Sequence, residues 1–303
     1  MKRFSKKNGT IAIIVAVIMI IAAVLEFVHL ETAAPFTPDG KLTVRYLYVG
    51  QADSVLISLP DGKSMLIDGG NHADGREISN YIAKLGIKTL DIVLATHPHE
   101  DHIGGLDSIL SRFECGAIYA PSTPEKGIDT ANYEQFLSAA RAQKCGISVI
   151  EKGTVIYDEN GVKVECFSPD SVDVFSDLNN YSAVTKITYG KTSFLMMGDA
   201  EKEAETLLLK SGQDISADVL MVPHHGSASS STKAFMKRVM PKYAVISCGK
   251  NNTYGFPAKD TVNTFNLIGA QTFVLSEVGS VFAVSDGETV IIETHEEINL
   301  DGG

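Results

Sequence analysis

The feature that most constrains this chain is the decapeptide Thr96-His97-Pro98-His99-Glu100-Asp101-His102-Ile103-Gly104-Gly105, which follows directly on the apolar run Ile92–Ala95. Four consecutive aliphatic residues predict a short buried strand. Three imidazoles and the Asp101 carboxylate then fall within six residues at the strand's end. A loop there can turn all four side chains toward one point, and the following glycines let backbone approach closely. Imidazole and carboxylate together are the ligand chemistry of Zn, Mn or Fe, and two such sets a few ångströms apart suit a dinuclear site. Two more of the eight histidines stand together in Val222-Pro223-His224-His225-Gly226-Ser227. The others are scattered. His29 lies in the N-terminal apolar segment, His72 in a loop after Gly69-Gly70-Asn71, and His295 in an acidic stretch that reads as solvated.

The rest of the pattern is that of one folded body behind an anchor. Lys2, Arg3, Lys6 and Lys7 precede an uncharged run from Ile11 to Leu25, extended past Glu26 by Phe27, Val28 and Leu30. Positive charge before an apolar run of near-spanning length predicts a membrane segment over residues 1–30 with the body outside, either as an uncleaved single-pass anchor or as a signal peptide. Residues 31–40 read as a linker, 41–296 as one domain and 297–303 as a tail. Within the body, strands are expected at Leu42–Tyr48, Ser54–Leu59 and Ser64–Ile67, and a helix at Arg76–Leu85 ending on Gly86. Helices follow at Leu106–Phe113, Ala131–Lys144, Glu201–Leu209 and Thr232–Met240, interleaved with short strands. An antiparallel start followed by strand–helix repeats predicts an α/β (α+β) architecture of two sheets with helices outside.

Charge and cysteine exclude several classes. The chain of 303 residues has a formal net charge of −11, and outside its first 34 residues the balance is −13. A broad basic surface for duplex nucleic acid is therefore absent. Cys115, Cys145, Cys166 and Cys248 have no C-x-x-C spacing, which excludes a zinc ribbon. Cys166 and Cys248 alternate with apolar residues as core positions do. Cys115 and Cys145 end expected helices and could pair outside the cytoplasm, with four free thiols as the simpler reading.

His97, His99, Asp101 and His102 match the H-x-H-x-D-H signature, and the chain resembles the metallo-β-lactamase-fold hydrolases over nearly the whole body. Asp68-Gly69-Gly70-Asn71, Gly198-Asp199-Ala200-Glu201 and Pro223-His224-His225-Gly226-Ser227 are similar to the family's further motifs. With Asn179-Asn180-Tyr181-Ser182 and Asn252-Thr253-Tyr254-Gly255, the pattern most resembles the metallo-hydrolase domain of the competence DNA-uptake (ComEC) family. The resemblance implies a four-layer αββα sandwich. It implies that His97 and His99 bind one metal, that Asp101 and His102 bind a second, and that Asp199 bridges. His225 completes the second metal, with His224 facing substrate; the two are interchangeable at this level. Asp68 orients the His loop from behind. Asp199 also has a simpler reading as the cap of the following helix.

Two departures stand out. Many family members place a third His before the strand that leads to the bridging aspartate. Here that stretch is Asp177-Leu178-Asn179-Asn180-Tyr181-Ser182, so Asn179 or Asn180 would offer an amide oxygen and the first metal has a thinner ligand set. Phe256 stands where the competence-type pattern commonly has His. Ser227 and Lys250 are left as candidates for contacting an anionic substrate.

The expected cofactor is two divalent ions, Zn with Mn as the alternative. Cations held this way lower the pKa of a shared water toward neutrality and neutralise a developing oxyanion. With no serine elbow or cysteine–histidine pair in view, hydrolysis by activated water is the economical chemistry, with Asp101, Asp199 and His225 at its centre. The expected function is an extracytoplasmic, membrane-anchored phosphodiesterase, nuclease-like or acting on a choline-phosphate ester. The expected chain is a monomer with no stable duplex partner. A lactam, lactone or thioester hydrolase on the same fold, or a catalytically weak binding module, are the alternatives.

Overall fold

A computed structural model describes residues 39–124 and 127–301. The expected membrane segment 1–30, His29 and most of the linker lie outside the described residues. Among the described residues no helix is long and apolar enough to cross a membrane. The chain begins with β1 (Leu42–Tyr46), β2 (Val55–Ser58), β3 (Ser64–Ile67), α1 (Gly75–Lys84), β4 (Thr89–Leu94), α2 (Glu100–Ile103) and α3 (Leu106–Arg112). It continues with β5 (Glu114–Pro121), α4 (Thr130–Ala142), β6 (Ile147–Ile150), β7 (Val155–Glu159), β8 (Val162–Ser168), β9 (Val184–Tyr189) and β10 (Thr192–Met196). The remainder is α5 (Lys202–Lys210), β11 (Val219–Met221), α6 (Lys233–Val239), β12 (Tyr243–Ile246), α7 (Lys259–Ile268), β13 (Gln271–Val274), α8 (Leu275–Val278), β14 (Ser280–Ser285) and β15 (Val290–His295).

The strands form two sheets, ordered β15-β14-β1-β2-β3-β4-β5-β6 and β13-β12-β11-β10-β9-β8-β7. Successive side chains on a strand point to opposite faces, and here each face has its own core. Val55 and Ile57 of β2, Met65 and Ile67 of β3 and Ile92 and Leu94 of β4 enter the core between the sheets. Leu56, Leu66 and Val93, between them in sequence, pack under the helices that cover the first sheet. On the second sheet Phe194, Met196, Val219 and Met221 face inward, while Leu195, Met197, Leu220 and Val222 pack against α5, α6 and α7. Two helix-covered sheets packed face to face give the expected αββα layering. β3, β4, β5 and β6 are parallel, as are β10, β11, β12 and β13. The loops leaving their carboxyl ends meet along one rim of the sandwich.

Several expectations are corrected. Cys115, expected to end a helix, is instead a residue of β5, a strand between β4 and β6. All four cysteines are free, and burial pushes the Cys115 thiol up to about 12. The 297–303 tail docks on the body as far as it is described. Leu300 N donates to the Tyr48 carbonyl at 2.9 Å, and Ile298 and Leu300 pack beneath the first sheet's helices. His295 is a strand residue whose ring lies 4.0 Å from that of Phe282, tilted by 34°, so it is not free in solvent. Asp199 caps no helix. Glu201 precedes α5, and the Asn180 side-chain oxygen Oδ1 accepts from the backbone N–H groups of Glu201 and Ala204 at 3.0 and 3.1 Å.

The His loop is held against the Asp68 loop by backbone contact. Gly69 N donates to the His102 carbonyl at 2.7 Å, and Gly105 N donates to the Gly70 carbonyl at 3.1 Å. A Cβ on Gly105 would sit 2.1 Å from the Gly69 carbonyl oxygen, which no side chain tolerates. Gly105→Ala is expected to destabilise the fold by about 1–3 kcal/mol through forced separation of the two loops. A urea unfolding midpoint equal to that of the wild type would refute this packing account.

Candidate metal centre

Asp68 follows β3, the His loop follows β4, Asp199 follows β10, His224 and His225 follow β11, and Ser247 follows β12. Residues far apart in sequence therefore converge because parallel strands in both sheets end at the same rim.

In the His loop, His102 and His97 are buried. His102 Nδ1 lies 2.8 Å from Asp68 Oδ2, so the ring donates there and turns Nε2 inward, 3.2 Å from Asp199 Oδ1. Asp68 in turn accepts from Thr96 N at 2.8 Å and Thr96 Oγ at 2.7 Å, which fixes its own orientation. His97 Nε2 lies 3.0 Å from His99 Nδ1 and 3.8 Å from Asp199 Oδ2. Asp68 therefore acts as an orienter from behind the loop.

The second loop reaches the same carboxylate from the other sheet. His225 Nδ1 donates to the Ser247 carbonyl at 2.9 Å, with Asp53 Oδ1 at 3.3 Å. Its Nε2 faces Asp101 Oδ2 at 3.0 Å and Asp199 Oδ2 at 3.7 Å. His224 Nδ1 lies 2.9 Å from Glu201 Oε1, and its Nε2 is 3.8 Å from Asp199 Oδ2. Both residues sit in the left-handed region, with φ of 49° and 53°. Such backbone costs of order 1 kcal/mol or more per residue and persists where surroundings over-determine it. Here Asp101, Asp199, Ser247 and Glu201 do so.

Electrostatics follows the geometry. Burial opposes charge on His102, but Asp199, Asp101 and Asp68 outweigh it and hold that imidazole well above its ordinary value. His225 is raised in the same way by Asp199 and Asp53 against its burial. Burial, reinforced by His102, pushes His97 well down. Burial works against the Asp199 charge, yet His102 and His225 hold its carboxyl well below the usual range.

The remaining expectations divide. Asn180 is committed to the start of α5, so it is not a ligand. Asn179 Oδ1 is buried without a hydrogen-bond partner, and Asn179 lines an open cleft of about 560 Å³ together with His99. Ser227 Oγ turns back to Ser229 Oγ at 2.8 Å and is a turn residue. Lys250 is exposed at the start of the 249–257 loop. Sequence reading missed Asp53, Glu201 and Ser247. Asp53 stands outside every motif and Glu201 two residues after Asp199 at the end of one, and nothing local marks their rotamers. Ser247 contributes through its backbone.

A family model described as the metallo-beta-lactamase superfamily matches residues 47–250. The chain belongs to the metallo-beta-lactamase superfamily. Its curated relatives within that superfamily include ComE operon protein 3 of Bacillus subtilis, 31% identical over 69% of this chain and 28% of that protein. Recombination protein 2 of Haemophilus influenzae is 32% identical over 70% of this chain and 25% of its own length. Competence protein ComA of Neisseria gonorrhoeae is 29% identical over 75% and 30%. The chain thus spans less than a third of the length of these relatives. Among solved structures, a CmlA beta-hydroxylase variant superposes with a TM-score of 0.52 at 14% identity, covering 81% of this chain and 54% of that one, which shows a shared fold.

The residues fit a pair of divalent cations. Asp101, His102, Asp199 and His225 offer ligand atoms within 4.8 Å of one another, and so do His97, His99 and Asp199. His102 Nε2 and Asp199 Oδ1 are buried, lie 3.2 Å apart, and neither makes a hydrogen bond of regular geometry. Cation binding needs the ring nitrogens of His102 and His225 unprotonated, while the surrounding carboxylates raise both imidazoles. Saturation is therefore expected to release protons, and affinity to weaken as pH falls. Calorimetric titration in buffers of different ionisation enthalpy measures this, and no proton release would contradict it. Asp68→Asn leaves one acceptor oxygen where Thr96 N and His102 Nδ1 use two, and is expected to weaken zinc affinity about 10–100-fold with the fold intact, read by competition with a chelating dye.

Proposed function

We propose that this metallo-beta-lactamase superfamily hydrolase cleaves phosphodiesters, held at the outer face of a membrane by its N-terminal segment. The observation that carries the reading is the meeting of one carboxylate, Asp199, with imidazoles from both sheets (His97 and His102 on one side, His224 and His225 on the other). Two divalent ions, Zn or Mn, would be held by His97, His99 and Asp199 and by Asp101, His102, Asp199 and His225. When bound they supply Lewis acidity to activate water and to neutralise a developing oxyanion.

The chain's own residues do the rest. Asp68 keeps His102 in one orientation, and Ser247 with Asp53 does so for His225. Glu201 accepts from His224 Nδ1 and so aims His224 Nε2 at the centre. His224, with 21% of its side chain exposed, is the imidazole placed to donate to an oxygen of a bound phosphate. Several features favour a phosphodiester over a lactam. The competence and recombination relatives cover most of this domain. In addition, a ribonuclease Z of Clostridium tetani is 44% identical over 50 residues, 16% of this chain and 15% of its own. The acidic body argues for a local anion site rather than a broad grip on duplex.

The test is a side-by-side panel of a chromogenic phosphodiester, single-stranded DNA, a choline-phosphate ester and a cephalosporin, with metal analysis. Phosphodiester turnover and about two metal equivalents per chain are expected. His99→Ala and Asp199→Ala are expected to lose turnover by about 100-fold or more while still folding. Retained turnover in both would show that the site is elsewhere. Cephalosporin turnover alone would replace the phosphodiester reading, and a folded chain without metal would mark a binding module.

A further inference from the structure

One wall of the centre has no part in holding cations. The Phe256 ring lies parallel to His225, with centroids 6.4 Å apart and planes at 26°, and meets His224 edge-on at 5.6 Å. Tyr254 stacks on Phe256 in turn, with centroids 5.5 Å apart and planes at 16°. Three rings thus run from a cation-binding imidazole out to solvent. Tyr254 is 69% exposed and is the only exposed tyrosine or phenylalanine among the described residues.

The loop that carries this ladder is held in shape. Asn252 Nδ2 donates to the carbonyls of Gly249 and Phe256 at 3.0 and 2.6 Å, and Asn252 Oδ1 accepts from Phe256 N at 2.9 Å. Gly255, at φ 74°, makes the left-handed step between the two aromatic residues. The platform is therefore formed before any ligand arrives. Lys250 opens the same loop, is exposed, and makes no ion pair among the described residues. A rigid ring with one open face, on a loop that also carries an exposed cation, matches how proteins bind unpaired nucleotides, with stacking on the base and positive charge on the backbone. A quaternary ammonium group fits less well, because Lys250 carries the same sign. A duplex offers no free base face.

We propose that the Tyr254–Phe256 stack is a base-binding subsite, so that the substrate is single-stranded nucleic acid with an unpaired base on Tyr254 and a neighbouring phosphate at the cation centre. The subsite rests on the phosphodiester reading, and the two are separable by experiment. The full chain is titrated with a fluorescent phosphorothioate hexathymidylate, which resists turnover, and with an abasic hexamer of equal charge. Tyr254→Ala and Tyr254→Leu are expected to weaken binding of the hexathymidylate about tenfold and leave the abasic hexamer unchanged. Tyr254→Phe is expected to restore binding. Lys250→Gln should weaken both probes equally. Equal binding of the two probes by the wild type, equal loss for both in Tyr254→Ala, or full retention in Tyr254→Leu would each overturn the subsite. Base-dependent binding without any phosphodiester turnover would uphold the subsite and sink the reaction assigned to it. Turnover with no preference for a base would do the reverse.

Discussion

The Asp199 carboxylate is the constraint on which the arrangement depends. It is buried, and its oxygens lie within 3.8 Å of ring nitrogens from four histidines on two loops. Desolvating such a charge is costly unless opposite charge or a metal compensates. Surrounding imidazoles raised by the same carboxylates provide that compensation and leave lone pairs converging on a small gap. The site therefore holds the sandwich's two sheets to each other at one rim as well as carrying chemistry.

Each contributing loop is restrained from behind. Asp68 and Thr96 lock His102, Ser247 and Asp53 lock His225, and Glu201 with Ser229 lock His224, the last through a 2.6 Å hydrogen bond from Ser229 Oγ. Asp68, Ser247, Asp53 and Glu201 lie on different loops from the residues they orient, while Thr96 and Ser229 belong to the same loops. Strain at His224 and His225 and the close approach of Gly105 to Gly69 are the local consequences of bringing such loops together. The aromatic ladder on Phe256 grows from this same rim, so substrate selection and cation binding share one rigid loop set.

Much of the body was legible before any coordinates. Leu42–Tyr46 announces itself by alternation, with Leu42, Val44 and Tyr46 facing the central core, and Ser64–Ile67 by a continuous apolar run, because its two faces meet different cores. β5 and β7 did not. Glu114 and Gly116 in β5 and Asp158 and Glu159 in β7 are poor strand formers, and pairing with flanking strands overrode that preference. The docked end at Ile298 and Leu300 was hidden for the same reason, since its partner Tyr48 lies far away in sequence.

The histidine motifs and Asp199 determined the candidate chemistry by themselves, because imidazoles and carboxylates packed into short loops after apolar strands have few other uses. Only the tertiary structure decided their division of labour. It assigned Asn180 to a helix start, Ser227 to a turn, Asp53 and Glu201 to orienting roles and Tyr254 to an open stack. Those roles depend on which distant atom each side chain meets, and the parallel strand order of two sheets sets that meeting.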